Sequence, residues 1–236
     1  MKSFILDFKN KLIELDKYFV FLEFIDSIET HRKENLTIES KDNHHKKILI
    51  DRDLQKMLRS NSFLLLYNLV ESSIRNAIIA IYDSIHDDSL SYEELSERLQ
   101  EVWLTYKSKQ FSDSKKNLKL WLKELMSEVV HDNSIVLDKE SINISGNLDY
   151  DNINKIINTY GFYGKITGDK SIIKQSIDKV KRERNLLAHG NKTFCQSGEI
   201  VTFSELTSIR KTIVDYLNEV LLNTENYIDN KHYKKQ

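Results

Sequence analysis

Proline is absent from this chain of 236 residues, and all six of its glycines fall between Gly146 and Gly198. Proline and glycine are the residues that most often end a helix or turn the chain. The sequence before Gly146 therefore contains no strong helix breaker, which indicates long helices joined by few turns. We expect an all-α fold, a helical bundle with long helices.

Apolar residues near the start of the chain recur at alternating steps of three and four. Such spacing places them on one face of an amphipathic helix, and it predicts a helix over residues 4–28. The residues of this stripe are Ile5, Phe8, Leu12, Leu15, Phe19 and Leu22. The same reasoning predicts a second long helix over 49–85 and shorter helices over 92–108, 115–131, 151–160, 170–189 and 204–229.

Two stretches lack the helical period. Residues 31–47, "HRKENLTIESKDNHHKK", are almost wholly polar and predict a loop or a flexible crossover. Residues 134–150, "SIVLDKESINISGNLDY", alternate apolar and polar side chains and predict a small β-hairpin insertion. The expected organisation is an N-terminal helix with its polar crossover, residues 1–45, and a helical domain, residues 46–236, which together form one structural unit.

Composition excludes several classes of protein. The one cysteine, Cys195, rules out an internal disulfide and any cysteine-based metal site. The pair His131–Asp132 lacks the further ligands of a metal phosphohydrolase, so we expect no metal and no cofactor. We find no apolar run long enough to span a bilayer and no signal-peptide pattern, so the expected compartment is the cytoplasm, without membrane association.

The formal net charge of −1 argues against a strongly basic nucleic-acid coat, although it does not exclude local clusters of charge. Lysines gather in "YKSKQFSDSKKNLKLWLK" and again between Lys165 and Arg184. Such runs are usually solvated faces. They indicate a cationic groove for phosphates only where a site lies beside them.

Two of the predicted helices carry a charged residue within their apolar seam. The seam of the helix before His189 passes through Arg184, and the seam of the second long helix passes through Glu71. Because an unpaired buried charge costs several kcal/mol, we expect these two residues to face each other. The alternative is that Glu71 bonds to Arg75 on its own helix while Arg184 extends to water.

Arg184, Asn185 and His189 lie near the end of one predicted helix. Asn185 and His189 are four residues apart and share a helical face, and Arg184 is long enough to reach the same volume. A histidine can remove the proton of a ribose 2′-hydroxyl, and an arginine can stabilise charge on the phosphorane, so this set suffices for RNA cleavage without a metal. Alternatively, His189 is only a histidine favoured by the helix dipole, with Gly190 as a left-handed cap.

The stretch "RNLLAHG" resembles the Rx4-6H motif of HEPN-domain ribonucleases, in which a polar residue, here Asn185, typically follows the arginine. The segments "LLLYNLVESSIRNAIIAIYDSI", "ISGNLDYDNINKIINTYGF" and "VKRERNLLAHG" follow one another as in a toxin-like HEPN subgroup of bacterial toxin–antitoxin and antiviral defence loci. The resemblance covers roughly residues 50–229. Many relatives carry a tyrosine shortly after the histidine, whereas this chain has "HGNKTF".

The resemblance implies a HEPN-type helical bundle, usually a homodimer, with metal-independent endoribonuclease activity. Its function would be that of a toxin or antiviral effector that cleaves cellular RNA and is restrained by a cognate antitoxin or regulatory protein. The catalytic residues would be Arg184, His189 and Asn185. The residues expected to support them are Glu71, Arg75 and Asn76. Candidate substrate-binding residues are Lys181, Arg182 and Lys192. The alternative, from another class, is a noncatalytic HEPN-like module that binds RNA or nucleotide and dimerises.

Overall fold

The computed structural model describes residues 2–28, 35–39, 45–114, 117–131, 134–139, 142, 144 and 148–236. Within these residues the chain is dominated by α-helices, which confirms the all-α class and the long helices. The elements are α1 (Ser3–Ser27), β1 (Asn35–Glu39), β2 (His45–Leu49), α2 (Arg52–Asp87), α3 (Glu97–Ser112), α4 (Leu118–Val130), α5 (Tyr150–Tyr160), α6 (Lys170–Ala188), α7 (Phe194–Glu199) and α8 (Phe203–Asp229), with a 3-10 turn at Tyr92–Glu94.

A β-hairpin is present, but not where the sequence predicts it. Strands β1 and β2 pair antiparallel, with Asn35 opposite Leu49 and Glu39 opposite His45. The prediction of a loop over 31–47 is therefore wrong for these strands. The short alternation in "NLTIE" is a strand signal that the polar surroundings obscured.

The segment 134–150, predicted as the hairpin, forms no strand in its described residues. Its alternation has another cause. Ile135 and Leu137 are buried while Val136 between them is 61% exposed, so an irregular segment buries alternate side chains here. The backbone N–H of Ile135 bonds to the carbonyl of Leu90 at 2.7 Å rather than to a neighbouring strand.

The chain packs into two compact units. The first unit comprises Leu6–Val70 and Gly168–Asp215, and the second comprises Met1–Ile5, Glu71–Thr167 and Tyr216–Gln236. Helices α2 and α8 contribute residues to both units. The expected division at residue 45 stays a prediction.

The core of the first unit is built from α1, the first part of α2, α6 and the start of α8. Its buried residues include Phe8, Leu15, Phe19, Leu22, Phe63, Leu66, Ile177, Val180, Leu206 and Ile213. Four of these belong to the predicted stripe of α1, so the apolar period of that helix records its burial. Near the end of α1, the side-chain amide of Gln55 donates to the carbonyls of Ile25 and Ile28, at 2.9 and 3.0 Å, and so supplies donors to carbonyls of the last turn and of the residue after it.

The core of the second unit is centred on the rest of α2 together with α3, α5 and the end of α8. Trp103 is fully buried, as expected for a core residue. Helix α5 is capped by Gly161, whose φ of +83° lies in the left-handed region that glycine tolerates best. Asp88 accepts hydrogen bonds from Lys231, Lys234 and Tyr233, and these partners hold the pKa of its carboxyl well below the ordinary value.

One helix among the described residues, α2, has the length and composition of a membrane span. Its most apolar window of 18 residues has a mean hydropathy of 1.3, and half of that window is buried inside the protein. Burial of this kind is common in a core helix, so the finding is weak evidence for a membrane.

Candidate functional site

Helix α6 carries the candidate residues and is anchored at its start by Asp169. The carboxylate of Asp169 accepts hydrogen bonds from the backbone N–H groups of Ser171 and Ile172, at 2.8 and 3.2 Å, and so caps the helix. The predicted seam of α6 is confirmed at its apolar positions, which are Ile173, Ile177, Val180 and Leu187. Their burial fixes the rotation of α6 and leaves Arg184 and Asn185 half-buried in its final turns.

The end of α6 presents His189 to solvent. His189 is the C-cap, and its backbone N–H bonds to the carbonyl of Asn185 at 3.0 Å. Gly190 follows with a φ of +69°, which confirms the predicted left-handed cap. Within the described residues, no hydrogen bond or ion pair holds the imidazole, and the side chain is exposed.

The guanidinium of Arg184 is held in a defined orientation. Its Nη1 donates to Oδ1 of Asn185 at 2.9 Å. Its central carbon lies 4.3 Å from the centroid of the Tyr67 ring, and Tyr67 is itself buried. A cation stacked on an aromatic face gains electrostatic attraction and loses rotational freedom. Tyr67 lies on α2, four residues before Glu71, and no sequence motif gives it a role at the site.

Glu183, beside Arg184 in the chain, is a buried carboxylate that sequence reasoning missed. It is 1% exposed and accepts hydrogen bonds from Nζ of Lys192 at 3.0 Å, from Oγ of Ser197 at 2.9 Å and, at 3.4 Å, from Nε of Arg182. Burial alone would raise the pKa of Glu183, but the bonds from Lys192, Ser197 and Arg182 and the nearby charge of Lys192 lower it below its ordinary value. A signal was present, since Glu183 lies three residues after Val180 and four before Leu187, both buried.

Helix α7 holds the segment that follows His189. Sequence analysis missed this six-residue helix, although "TFCQ" carries a capping box. The hydroxyl of Thr193 accepts from the N–H of Gln196 at 3.2 Å, and the side chain of Gln196 accepts from the N–H of Thr193 at 2.9 Å.

Helix α7 packs directly against the backbone of α2. At Gly198, an added Cβ would lie 1.8 Å from the main-chain oxygen of Lys56. The ammonium of Lys56 also pairs with Glu199 at 3.0 Å. The close approach at Gly198 fixes α7 within the first unit, and α7 in turn presents Ser197 to Glu183.

The three candidate substrate-binding residues differ in their surroundings. The Arg182 side chain is 63% exposed, Lys181 is half-buried, and Lys192 directs its ammonium to Glu183. Substrate binding by these three residues stays a prediction. In the structure, the partner of the Lys192 ammonium is Glu183.

The residues expected to support the site belong to the second unit. Arg75 donates from Nη1 to the carbonyl of Ile142 at 3.4 Å, and no ion pair joins it to Glu71 in the part of the chain that the structure describes. Glu71 is half-buried. Its pairing with Arg184 would join residues of both units and stays a prediction, as does the supporting role of Asn76.

Across the described ranges, no three His, Cys, Asp or Glu side chains are grouped so that they could hold a metal ion. His131 is the exposed C-cap of α4, and Asp132 lies outside the described residues.

The family described as HEPN_MAE_28990-like HEPN matches residues 2–233, nearly the whole chain. No curated protein and no solved structure matches the chain. The family match includes α1 and the hairpin, which precede the motif segments.

Proposed function

The chain belongs to the HEPN_MAE_28990-like HEPN family, and we propose that it is a metal-independent endoribonuclease with Arg184, Asn185 and His189 as its catalytic residues. Membership of the HEPN family suggests an RNase-type or nucleotide-binding function. The observation that favours the nuclease is the preorganised Arg184, fixed by Asn185 and Tyr67 one turn before an exposed His189.

In this mechanism His189 acts on the ribose. Its imidazole removes the proton of the 2′-hydroxyl, and the 2′-oxygen attacks the adjacent phosphorus. The bond from phosphorus to the 5′-oxygen then breaks, that oxygen takes up a proton from water, and the protonated His189 returns its proton to solvent. Because nucleophile and phosphate belong to the same nucleotide, the attack is already intramolecular, and an exposed imidazole at a helix end is accessible to an RNA strand.

Arg184 stabilises the negative charge that develops on the phosphoryl oxygens. The Tyr67 ring and Asn185 set the plane of the guanidinium before substrate arrives, so little reorganisation is needed as the charge develops. A lysine could supply a charge here, but not a planar group stacked on Tyr67.

The working form in this proposal is a homodimer. Residues at one helix end form an open surface, whereas sites that hold a ligand are concave. A second copy related by a two-fold axis would add another wall and another set of catalytic groups. The proposed setting, supported by the resemblance to toxin-like HEPN proteins, is cytoplasmic action on cellular RNA under the control of an antitoxin or regulatory partner.

The chemistry of the products tests the mechanism. Attack by the 2′-hydroxyl without a metal should give a 2′,3′-cyclic phosphate and a 5′-hydroxyl, and cleavage should persist in EDTA. Mass spectrometry of a cleaved oligonucleotide identifies both ends. Loss of activity in EDTA with recovery on adding magnesium would contradict the mechanism.

Mixed dimers test the arrangement of the site. Arg184→Ala and His189→Ala chains, each inactive alone, should regain part of the wild-type activity when combined, if each site takes arginine from one protomer and histidine from the other. Purification through two different affinity tags, one on each variant, isolates the heterodimers from the two homodimers before activity is measured. Absence of recovery would place both residues of a site on one chain, and full activity of a monomer would refute the dimer.

A further inference from the structure

We infer that Glu183 is a positioning residue that holds the turn carrying His189 through Lys192 and Ser197. This inference rests on the proposed function, because the turn matters to catalysis only if His189 is catalytic. Glu183 itself needs no contact with RNA, since two of its partners, Lys192 and Ser197, belong to the chain that follows the histidine.

The turn is fixed on both sides of His189. Before it lies the last turn of α6, and after it the N–H groups of Asn191 and Lys192 both bond to the carbonyl of Leu186, at 2.8 and 3.2 Å. The side chain of Lys192 then reaches back to Glu183, as does the fully buried Ser197 on α7. The short segment from His189 to Ser197 therefore returns to α6 at two points beyond the histidine.

Stability alone does not explain a carboxylate at this position. Glu183 lies between the buried Val180 and Leu187, where an apolar side chain would fit the seam. Replacing a buried ion pair by apolar residues is often neutral or stabilising, whereas removing one member is costly. An ion pair also constrains geometry, which apolar packing does not do to the same degree. The ammonium of Lys192 contacts both carboxylate oxygens of Glu183, at 3.0 and 3.3 Å, and this fixes the position of the Lys192 side chain.

Kinetic measurements can distinguish two roles for Lys192, binding of RNA phosphate and support of the turn that carries His189. If Lys192 binds RNA phosphate, its loss should raise KM and reduce the dependence of binding on salt. If Lys192 instead completes the support of the turn, its loss should lower kcat and leave KM almost unchanged, because substrate binding survives while His189 is misplaced.

The test compares Lys192→Met and Ser197→Ala with Lys56→Met in the full-length protein. Lys56 is a matched control, because it also pairs with a glutamate at 3.0 Å and its side chain is 25% exposed against 29% for Lys192, but it joins α7 to α2. Glu183 is left in place, since its removal would leave the donors of Arg182, Lys192 and Ser197 without their acceptor. The measurements are kcat and KM on a single-stranded RNA oligonucleotide and hydrogen exchange at the Asn191 and Lys192 amides.

We expect Lys192→Met to lower kcat by about tenfold to hundredfold, since small displacements of a catalytic group have effects of this size, and to change KM by less than about twofold. Amide exchange at Asn191 and Lys192 should become about tenfold faster as the turn opens locally. Ser197→Ala should act in the same direction more weakly. Lys192→Arg should restore most of kcat, and Lys56→Met should leave kcat and exchange unchanged.

Unchanged exchange in Lys192→Met would overturn the inference. A rise in KM with kcat intact would overturn it too and would identify Lys192 as a phosphate contact. An equal loss of kcat in Lys56→Met would show a general loss of packing, which also overturns it. If the wild-type protein cleaves no RNA, the proposed function fails, while the exchange measurement still decides whether Glu183 and its partners hold this turn.

Discussion

Replacing His189 by alanine is expected to slow RNA cleavage by about 10²–10⁴-fold, the contribution typical of a general acid or base. The melting temperature should stay within a degree or two of the wild type, because an exposed side chain without a hydrogen bond contributes little to packing. Single-turnover cleavage of a labelled oligonucleotide and thermal unfolding measure the two effects separately.

His131→Ala is the matched control for this substitution. His131 is also exposed and is also the C-cap of a helix, α4, with its N–H bonded to the carbonyl of Ser127 at 3.1 Å. It should retain wild-type activity. A comparable loss in His131→Ala, or full activity in His189→Ala, would remove His189 from the mechanism, and RNA binding without cleavage by the wild type would favour the noncatalytic module. In cells, induction of the wild type should arrest growth and induction of His189→Ala should not.

Gly198→Ala is expected to destabilise the protein by about 3 kcal/mol, at the upper end of what overpacking usually costs. The added methyl would lie 1.8 Å from the main-chain oxygen of Lys56 and 2.5 Å from its carbonyl carbon. Because these are backbone atoms of α2, α7 must move away. For a chain of this length the loss corresponds to roughly 6–12 °C in the melting temperature, read by calorimetry.

Gly190→Ala is the control for Gly198→Ala, because it introduces backbone strain at a glycine without a steric clash. Gly190 has a φ of +69° and nothing within 4 Å of an added Cβ, so its cost should be only the left-handed strain, about 1 kcal/mol. Gly198→Ala should therefore be clearly the less stable variant. If the two variants had the same melting temperature, the close contact between α7 and α2 would not be the reason for glycine at position 198.

Much of the helical framework is encoded in local periodicity. The α1 stripe, the presence of α2 and the apolar positions of α6 can be read from steps of three and four, because a helix that packs on one side must repeat its apolar residues at that spacing. The start of α2 cannot, since the predicted helix over 49–85 begins within β2 whereas α2 spans Arg52–Asp87. The capping of α6 by Gly190 is equally local, since only a residue tolerant of positive φ closes the helix in this way.

Alternation was less informative, because extended chain and paired strand share a period of two. The segment with Ile135 and Leu137 alternates because an irregular chain buries alternate residues, whereas the paired strands lie in the polar stretch at 35–49. Whether an extended segment finds a partner strand depends on its tertiary neighbours, and no local pattern records them.

Sequence alone places Arg184, Asn185 and His189 at one helix end, because their spacing along α6 fixes their positions on that helix. Tertiary packing sets which residues hold them. The stacking of Arg184 on Tyr67 joins residues far apart in the chain, and the burial of Glu183 depends on Lys192 and on an α7 seated against the backbone of Lys56. Such contacts arise from the packing of whole helices, so the candidate catalytic residues can be read from a motif while the residues that hold them in place cannot.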